Sequence, residues 1–316
     1  MQPIHRLNSN KLQQDISRKK QRSRKAHRSQ LRRLSLELLE RRNLFAVEVF
    51  SVTSAATQGP GTLVDALNNA SIYGQYQGNL AVVEFDLAWA TSGHVYYQND
   101  GKPGVSATNI HPVSESGPAT CVMVNGKPNV SLCDQSLSNP DPDWPHSWWS
   151  IKSPAGGFAW LRRTELNGYS QAGSMENSST SILNNNSILR IELDGSDVTS
   201  LGMLDPRRDA TIRGLVINGA DHRNAQWNFG AGIFAYAGPG GTHVGGNYVG
   251  TDISGTRAIG NDIGVTFQNS SNNVIGVDIT NVSYNPAMPY RDQNIISGQE
   301  RVACSLIFDS HFNTVH

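Results

Sequence analysis

Residues 213–250 read RGLVINGADHRNAQWNFGAGIFAYAGPGGTHVGGNYVG and contain three short apolar runs separated by turn-forming residues. Similar runs follow to the end of the chain, and their starting positions are 10 to 20 residues apart. Gly, Asn and Ser separate them, and these residues favour tight turns. The seven runs are RGLVING (213–219), GIFAYAG (232–238), VGGNYVG (244–250), GVTFQNS (264–270), VIGVDIT (274–280), NIISGQE (294–300) and SLIFDSH (305–311).

This spacing predicts an all-β repeat fold. Short strands at alternating short and long intervals are typical of a solenoid, in which each strand pairs in parallel with its equivalent in the next coil. An antiparallel sandwich also contains many short strands, but its strands need not resemble one another. Here they do, as in NNVIG (272–276) and FNTVH (312–316), or GNYVG (246–250) and QNIISG (293–298). We therefore favour the solenoid.

Stacked coils place equivalent side chains above one another. The side chains predicted to face the core are Val216, Ile233, Val265, Ile275, Ile295 and Ile307. Asparagines at the turns suit left-handed backbone and amide hydrogen bonds between coils. The candidates are Asn218, Asn247, Asn269, Asn273 and Asn294.

A strand, a helix and a second strand are predicted before the repeats. Residues 47–53 alternate as a half-buried strand does, and residues 80–86 form a second strand. Between them, Thr62 and Asp65 form an approximate capping box for a short helix. The helix ends near Ser71, and Leu63, Leu67 and Ala70 share one of its faces.

Several stretches resemble a known family. GPGTLVDALNNAS (59–71) with VVEFDL (82–87) resembles the opening of bacterial β-helix surface proteins, where a helix closes the first rung. Later blocks resemble the pectin-lyase-like β-helix repeat proteins of planctomycetes and related bacteria. The resemblance implies a right-handed parallel β-helix over residues 47–316 with a short N-terminal capping helix. The blocks are LNGYSQAGS (166–174), LRIELDGS (189–196), IRGLVING (212–219), GGNYVGTDISGTRAIGN (245–261) and SSNNVIG (270–276).

The first 46 residues form a basic segment. They contain 13 Lys and Arg against 3 acidic residues, whereas the rest of the chain, from totals of 26 each, carries 13 basic and 23 acidic residues. Such an acidic body disfavours binding of nucleic acid. LSLELLERRNLFA (34–46) resembles the export motif at the start of many planctomycete surface proteins, which implies a secreted or cell-surface protein. The alternative is a cytosolic helix with chance similarity. No apolar run is long enough for a transmembrane helix.

Residues 91–163 match no part of the family pattern, and we expect an irregular insert there. Cys121 and Cys133 are candidates for a disulfide within it, and Cys304 is expected to be a small buried residue. Trp148 and Trp149 have flat apolar faces that suit stacking on sugar rings, although packing of the insert onto the rungs is an equal alternative. The chain stops at His316 within a rung, so we expect the C-terminal rung to be incomplete.

Acidic residues supply the candidates for catalysis or metal binding. Glu192 and Asp194 occupy alternate positions of one strand, either lining a groove or lying on a solvated outer face. Asp252 is the third catalytic candidate, and Asp252, Asn261 and Asp262 offer oxygen ligands for calcium, though such residues are also common in turns. Asp205 and Asp209 flank Arg207 and Arg208 and are expected to form an exposed ionic loop.

These observations favour a non-enzymatic exported scaffold or adhesin that binds extracellular polysaccharide or cell-surface components. No cofactor is expected, calcium apart. The alternative is a polysaccharide lyase or glycoside hydrolase, which rests on fold analogy. The Asn-Thr-Asp, Asp-Asp and Gly-His-Gly segments of the hydrolase pattern do not occur in this sequence.

Overall fold

Strands dominate the computed structural model, in which one helix exceeds a single turn among the described residues. The structure describes residues 46–76, 78–116, 123–124, 127–221, 229–278 and 285–316. The helices are α1 (Leu63–Gly74) and α2 (Val130–Cys133), with 3-10 turns at Val113–Ser116, Asp134–Ser136 and Gly168–Ser170. The strands are β1 (Ala46–Val52), β2 (Asn79–Phe85), β3 (His94–Tyr97), β4 (Ile110–Pro112), β5 (Met123–Val124), β6 (Lys127–Pro128), β7 (Ser147–Lys152), β8 (Leu161–Arg162), β9 (Thr164–Asn167), β10 (Ile191–Asp194), β11 (Gly202–Leu204), β12 (Pro206–Arg208), β13 (Thr211–Arg213), β14 (Val216–Asn218), β15 (Ala231–Tyr236), β16 (His243–Gly245), β17 (Tyr248–Val249), β18 (Ile263–Gln268), β19 (Val274–Ile275), β20 (Ile295–Ile296), β21 (Val302–Ile307) and β22 (Thr314–Val315).

Three sheets of parallel strands organise the described residues. Sheet A has the order β1-β2-β9-β13-β16-β19-β22, and sheet C has the order β11-β15-β18-β21. Sheet B runs β20-β17-β14-β10-β7 in parallel and then adds β3 and β4 in antiparallel pairing. From β13 onward the chain visits sheets A, B and C in turn, and each visit adds a strand next to the previous one. The prediction of an all-β fold with parallel strand stacking is confirmed at this level.

Equivalent apolar side chains stack along each sheet and form the core. In sheet A, Ile212, Val244 and Ile275 are paired in register, and all three are buried. In sheet C, Ile233 pairs with Val265, and both belong to the same core. The inward orientation predicted for Ile233, Val265 and Ile275 is therefore confirmed.

Three predicted core residues are wrong by one position. Ile217 and Ile296 contact the central core, whereas their neighbours Val216 and Ile295 contact a second apolar cluster. In β21, Leu306 is in register with the core residue Phe267, so the adjacent Ile307 points to the other face. A shift of one residue along a strand moves a side chain to the opposite face of the sheet. Where two adjacent residues are both apolar, the sequence does not indicate which of them faces the core.

Asparagine amides connect turns that follow one another along the parallel sheets. Leu215 N–H donates to Asn247 Oδ1 at 3.1 Å, and Asn247 N–H donates to Asn294 Oδ1 at 2.9 Å. Asn273 N–H similarly donates to Asn313 Oδ1 at 2.9 Å. The predicted amide stacking is thus confirmed at these turns. Of the five predicted asparagines, Asn269 is the one that adopts a positive φ, of 51°.

Helix α1 covers the beginning of the stacked sheets. Thr62 accepts a hydrogen bond from Asp65 N–H, and Asp65 Oδ2 accepts one from Gly61 N–H, so both donors at the helix start are satisfied. The predicted apolar face of Leu63, Leu67 and Ala70 is fully buried. Helix α1 and its two flanking strands thus follow the prediction closely.

The predicted insert is shorter than expected. Within residues 91–163, strand β7 pairs in parallel with β10, and β8 pairs in parallel with β12, so both belong to the stacked strands. Residues before β7 pack on the outer face of sheet B. Tyr97 and Ala107 of this segment join residues of sheet B and its loops in a second buried apolar cluster. The other buried members are Trp148, Leu189, Val216, Tyr248 and Ile253.

Cysteines and the last strands complete the fold. Cys133 is disulfide-bonded and Cys304 is a free, half-buried thiol, while Cys121 lies outside the described residues. The export segment predicted over residues 1–46 lies outside them too, except for Ala46. At the far end of the sheets, Leu306, Phe312 and Val315 are exposed. Among the described residues no helix has the length and apolar character needed to span a membrane.

Candidate functional site

An exposed tryptophan lies on the outer surface next to two arginines. Trp160 is 47% exposed, and the guanidinium carbons of Arg162 and Arg207 lie 4.6 and 4.8 Å from its ring centroid. Arg207 also lies 5.8 Å from the ring centroid of Tyr236, which is 41% exposed. We call the surface formed by Trp160, Arg162, Asp205, Arg207 and Tyr236 the Trp160 groove.

The register of two short strands brings these residues together. Leu161 of β8 pairs with Pro206 of β12, and both are buried. Because side chains alternate along a strand, the residues on either side of this pair point outward. These flanking residues are Trp160, Arg162, Asp205 and Arg207.

Two open pockets meet at Trp160. The Asp205-side pocket has a volume of about 390 Å³, and the helix-side pocket has a volume of about 410 Å³. Trp160 and the buried Phe158 line both pockets. The Asp205-side pocket is further lined by Asp205, Arg207, Phe234 and Tyr236, and the helix-side pocket by Asn68, Ser71, Ile72, Gln75 and Arg162.

The Asp205-side pocket contains an ion pair. Asp205 Oδ2 lies 2.7 Å from Arg207 Nη2, and Arg207 Nη1 donates to the carbonyl oxygen of Tyr236 at 2.6 Å. Burial raises the pKa of Asp205 to about 6, although the nearby Arg207 charge acts in the opposite direction. Asp205 Oδ1 and Arg207 Nε are buried and have no hydrogen-bond partner among the described residues. The prediction of an exposed ionic loop is therefore wrong for Asp205, which forms part of a pocket wall.

The helix-side pocket contains a charged group without a direct ion pair among the described residues. Within the described part of the chain, the Arg162 guanidinium has a ring contact with Trp160 but no ion pair or hydrogen bond. The polar groups around it are the amides of Asn68 and Gln75 and the hydroxyl of Ser71. This pocket can therefore offer a cation and neutral hydrogen-bonding groups to a ligand.

Glu192, a predicted catalytic residue, is buried beneath the insert. Its carboxylate accepts hydrogen bonds from Trp148 Nε1 at 2.9 Å and from Asn218 Nδ2 at 2.8 Å. Burial raises its pKa. Neither the groove nor the solvated face predicted for Glu192 is observed, because the insert covers this part of sheet B. Asp194 is half-buried and accepts a hydrogen bond from Ser196 N–H.

Asp252 is fully buried and anchors the insert. Its Oδ2 accepts hydrogen bonds from Ser106 Oγ at 2.6 Å and Tyr97 Oη at 3.2 Å. Its Oδ1 accepts from Ser254 Oγ and from the N–H groups of Thr256 and Arg257. Since donors surround both oxygens, the arrangement supports neither a catalytic nor a calcium-binding role for Asp252.

The other two predicted calcium ligands are also fully buried. Asn261 Oδ1 accepts from Ala220 N–H, and Asn261 Nδ2 donates to the carbonyl oxygen of Ile217. Asp262 Oδ1 lies 3.2 Å from Arg301 Nε. Across the described residues, no group of three or more His, Cys, Asp or Glu side chains is placed to hold a metal ion. The structure therefore does not support the predicted calcium site.

Trp148 and Trp149 are both 0% exposed. Trp149 stacks on His94 at a centroid distance of 3.8 Å, and Trp148 contacts Tyr97 at 4.6 Å. Because neither ring reaches solvent, the prediction that this pair stacks on sugar rings is wrong. Both rings instead pack in buried apolar clusters, in line with the packing alternative. The exposed tryptophan of the region is Trp160. In the sequence, Trp160 precedes the apolar Leu161, and Arg162 follows it. This alternation was a signal that Trp160 points to solvent.

Comparisons with protein-family models, with curated proteins and with solved structures found no match to this chain.

Proposed function

We propose that this chain is an exported right-handed parallel β-helix that binds extracellular polysaccharide at the Trp160 groove without cleaving it. The ordered passage of the chain through sheets A, B and C supports the β-helix. The sequence blocks that resemble pectin-lyase-like repeat proteins support its handedness. Export is supported by the motif at residues 34–46.

The observation that carries the proposal is an exposed aromatic surface with polar groups at its edges. Trp160 and Tyr236 are large rings that remain accessible, and a sugar has an apolar face that can stack on such rings. Phe234 stacks against Tyr236 at a centroid distance of 6.0 Å and holds it in place. Arginine, amide and hydroxyl groups in the two pockets can then bind the hydroxyl groups of the sugar.

The groove is open and extends over neighbouring strands, which suits a polymer. β8 and β12 are adjacent parallel strands, and α1 provides the wall of the helix-side pocket. A chain of sugars can therefore lie across Trp160 with one unit in each pocket. Such multiple weak contacts are appropriate for a surface protein that attaches to a matrix.

One observation favours the enzymatic alternative. A carboxyl group with a pKa of about 6 is suited to proton transfer near neutral pH, and Asp205 has this property inside the Asp205-side pocket. The competing proposal is a polysaccharide lyase or glycoside hydrolase that uses Asp205. Turnover of a bound polysaccharide, lost in Asp205→Asn, would establish it.

Binding by the full chain tests the main proposal. We expect Trp160→Ala to weaken binding to immobilised polysaccharides about tenfold, since losing a stacked ring costs about 1 kcal/mol or more. The matched control is Phe312→Ala, which removes another exposed ring, 85% exposed, far along the stack at β22. Equal loss in both variants, or no loss in Trp160→Ala, would contradict the proposal. Polymer shortening would favour the enzyme.

A further inference from the structure

The two pockets of the Trp160 groove differ in charge. The helix-side pocket contains Arg162, the one charged side chain among the described residues that line it. The Asp205-side pocket contains Asp205 and Arg207, whose charges compensate each other. Since Trp160 lines both pockets, a polymer that stacks on it meets a cationic pocket on one side and a neutral, carboxylate-bearing pocket on the other.

We propose that the groove selects glycans in which acidic and neutral sugars alternate, with the acidic sugar at Arg162 and the neutral sugar at Asp205. This inference rests on the proposed function and adds the class of ligand. Asp205 acts as the selecting residue, because it excludes a second acidic sugar and accepts hydrogen bonds from a neutral one.

Arg162 is available to an anionic group. Its guanidinium lies over the Trp160 ring and has no ionic partner among the described residues. Arginine binds carboxylate and sulfate groups through parallel N–H donors, and the amides of Asn68 and Gln75 add further donors in the same pocket. An acidic sugar there gains an ion pair without displacing one.

Asp205 disfavours a second anionic group. Its Oδ2 already engages Arg207, and Arg207 also donates to Tyr236, so this arginine is held by the protein. An acidic sugar in this pocket would lie next to the Asp205 carboxylate, and like charges are repelled. A neutral sugar has no charge to be repelled, and its hydroxyl can donate to the part of the Asp205 carboxylate that lines the pocket, since this side chain is 19% exposed.

The test compares three polymers on the full-length chain at pH 7.5. They are hyaluronan, which alternates glucuronate with N-acetylglucosamine, polygalacturonate, which is acidic at every unit, and neutral dextran. We expect hyaluronan to bind about tenfold more tightly than either of the others, as single charge contacts typically contribute this much. Arg162→Gln removes the preference for hyaluronan over dextran.

Asp205→Asn provides the sharper result. It keeps the shape of the side chain, removes its charge and is expected to raise the affinity for polygalacturonate about tenfold. The matched control is Asp197→Asn, since Asp197 is 60% exposed, pairs with Lys152 and does not line either pocket. Thermal unfolding of each variant checks that it is folded.

The unmodified chain offers a second measurement if Asp205→Asn is unstable. The charged groups that face Asp205 are Arg207 in its own segment and Arg162 from β8, and Tyr236 of β15 contributes its backbone. Asp205 has a pKa of about 6, so it is mostly protonated at pH 5, where sugar carboxylates stay ionised. We expect polygalacturonate to bind more tightly at pH 5 than at pH 7.5.

Each outcome decides between the two proposals. The alternating-glycan inference is overturned if the wild type binds hyaluronan and polygalacturonate equally tightly. It is also overturned if the wild type binds dextran as tightly as hyaluronan. In both cases loss of binding in Trp160→Ala leaves the proposed function intact. Failure of the wild type to bind any polysaccharide overturns the proposed function and this inference with it.

Discussion

The parallel sheets and the insert before β7 are held together in different ways. In the parallel sheets the same contact recurs, as in the stack of Ile212, Val244 and Ile275. In the insert each contact occurs once, such as the ion pair between Asp134 and Arg190 at 2.8 Å. A repeated contact leaves a periodic signature in the sequence, whereas a unique polar contact between distant residues leaves none.

The same contrast separates the two faces that were candidates for function. The insert covers the outer face of sheet B, so Glu192 and Trp148 are buried beneath it. The surface around β8 and β12 is left open, so Trp160 and Asp205 remain accessible to a ligand. Location relative to the insert, more than residue type, decides which polar and aromatic residues can act.

The largest expected effect comes from breaking the main anchor of the insert. Arg190 is fully buried, pairs with Asp134 and donates to the carbonyl oxygens of Ser147 and Gly173. Arg190→Ala removes the buried cation that pairs with Asp134 and leaves this carboxylate only its contacts with Ser147 and His146. The free energy of unfolding should fall by about 3–5 kcal/mol. Denaturant unfolding measures this.

The matched control is the exposed ion pair of Lys152 and Asp197. Lys152→Ala should change the free energy of unfolding by less than about 1 kcal/mol, because exposed pairs contribute little. Similar losses in the two variants would contradict the anchoring role of Arg190.

The second largest loss of stability is expected at acid pH, through protonation of His94 in the insert. His94 bonds the carbonyl oxygen of Trp89 and the hydroxyl of Ser147, and burial lowers its pKa to about 4. In the unfolded chain the pKa of His94 is near 6.5. The neutral side chain therefore contributes its full stabilisation above pH 6.5, and this contribution is lost as the pH falls towards 4. The loss amounts to about 3 kcal/mol.

The pH dependence of unfolding for the wild type and His94→Gln isolates this contribution, because other titrating groups cancel in the difference. We expect the wild type to lose stability between pH 6.5 and 4 more steeply than the variant. Parallel curves would show that His94 is not kept neutral by the fold.

Between neighbouring strands of the parallel sheets, removal of one asparagine connection should have a smaller effect on stability. Asn247→Ala removes the acceptor of Leu215 N–H and the donor to the carbonyl oxygen of Ile212. Buried groups left without partners should lower the free energy of unfolding by about 1–3 kcal/mol. Asn184 is exposed, and Asn184→Ala is the control with an expected change below about 0.5 kcal/mol. Equal effects would argue against the asparagine connection.

The groove should contribute least to stability. Trp160→Ala removes an exposed ring and its contacts with two arginines, so the expected loss in the free energy of unfolding is about 1 kcal/mol. Thermal unfolding of the variant checks this. A large loss would mean that Trp160 is a structural residue, and weaker glycan binding by the variant would then say nothing about contact with the ligand.

The sequence predicted those parts of the fold whose signal is local or periodic. Helix α1 follows from Thr62, Asp65 and an apolar face, and the core residue Val265 follows from an apolar position between Gly264 and Thr266. Val216 and Ile295 were misplaced because each has an apolar neighbour, which removes the alternation that defines a face.

The candidate site could not be predicted in the same way. Trp160 and Arg207 meet through the register of two short strands, β8 and β12, for which the sequence contains no pattern. Trp148 and Trp160 are the same residue type twelve positions apart, and the cover provided by the insert makes one buried and the other exposed. That cover depends on single contacts such as Asp252 with Ser106.

Oxidative footprinting of the full chain, with and without a bound polysaccharide, shows whether the Trp160 groove is the binding surface. We expect the ligand to protect Trp160 and Tyr236 from oxidation and to leave the exposed ring of Phe312 unprotected, while the polymer keeps its length. Binding with no protection at Trp160 and Tyr236 would rule out the groove as the binding surface, and shortening of the polymer would rule out binding without cleavage.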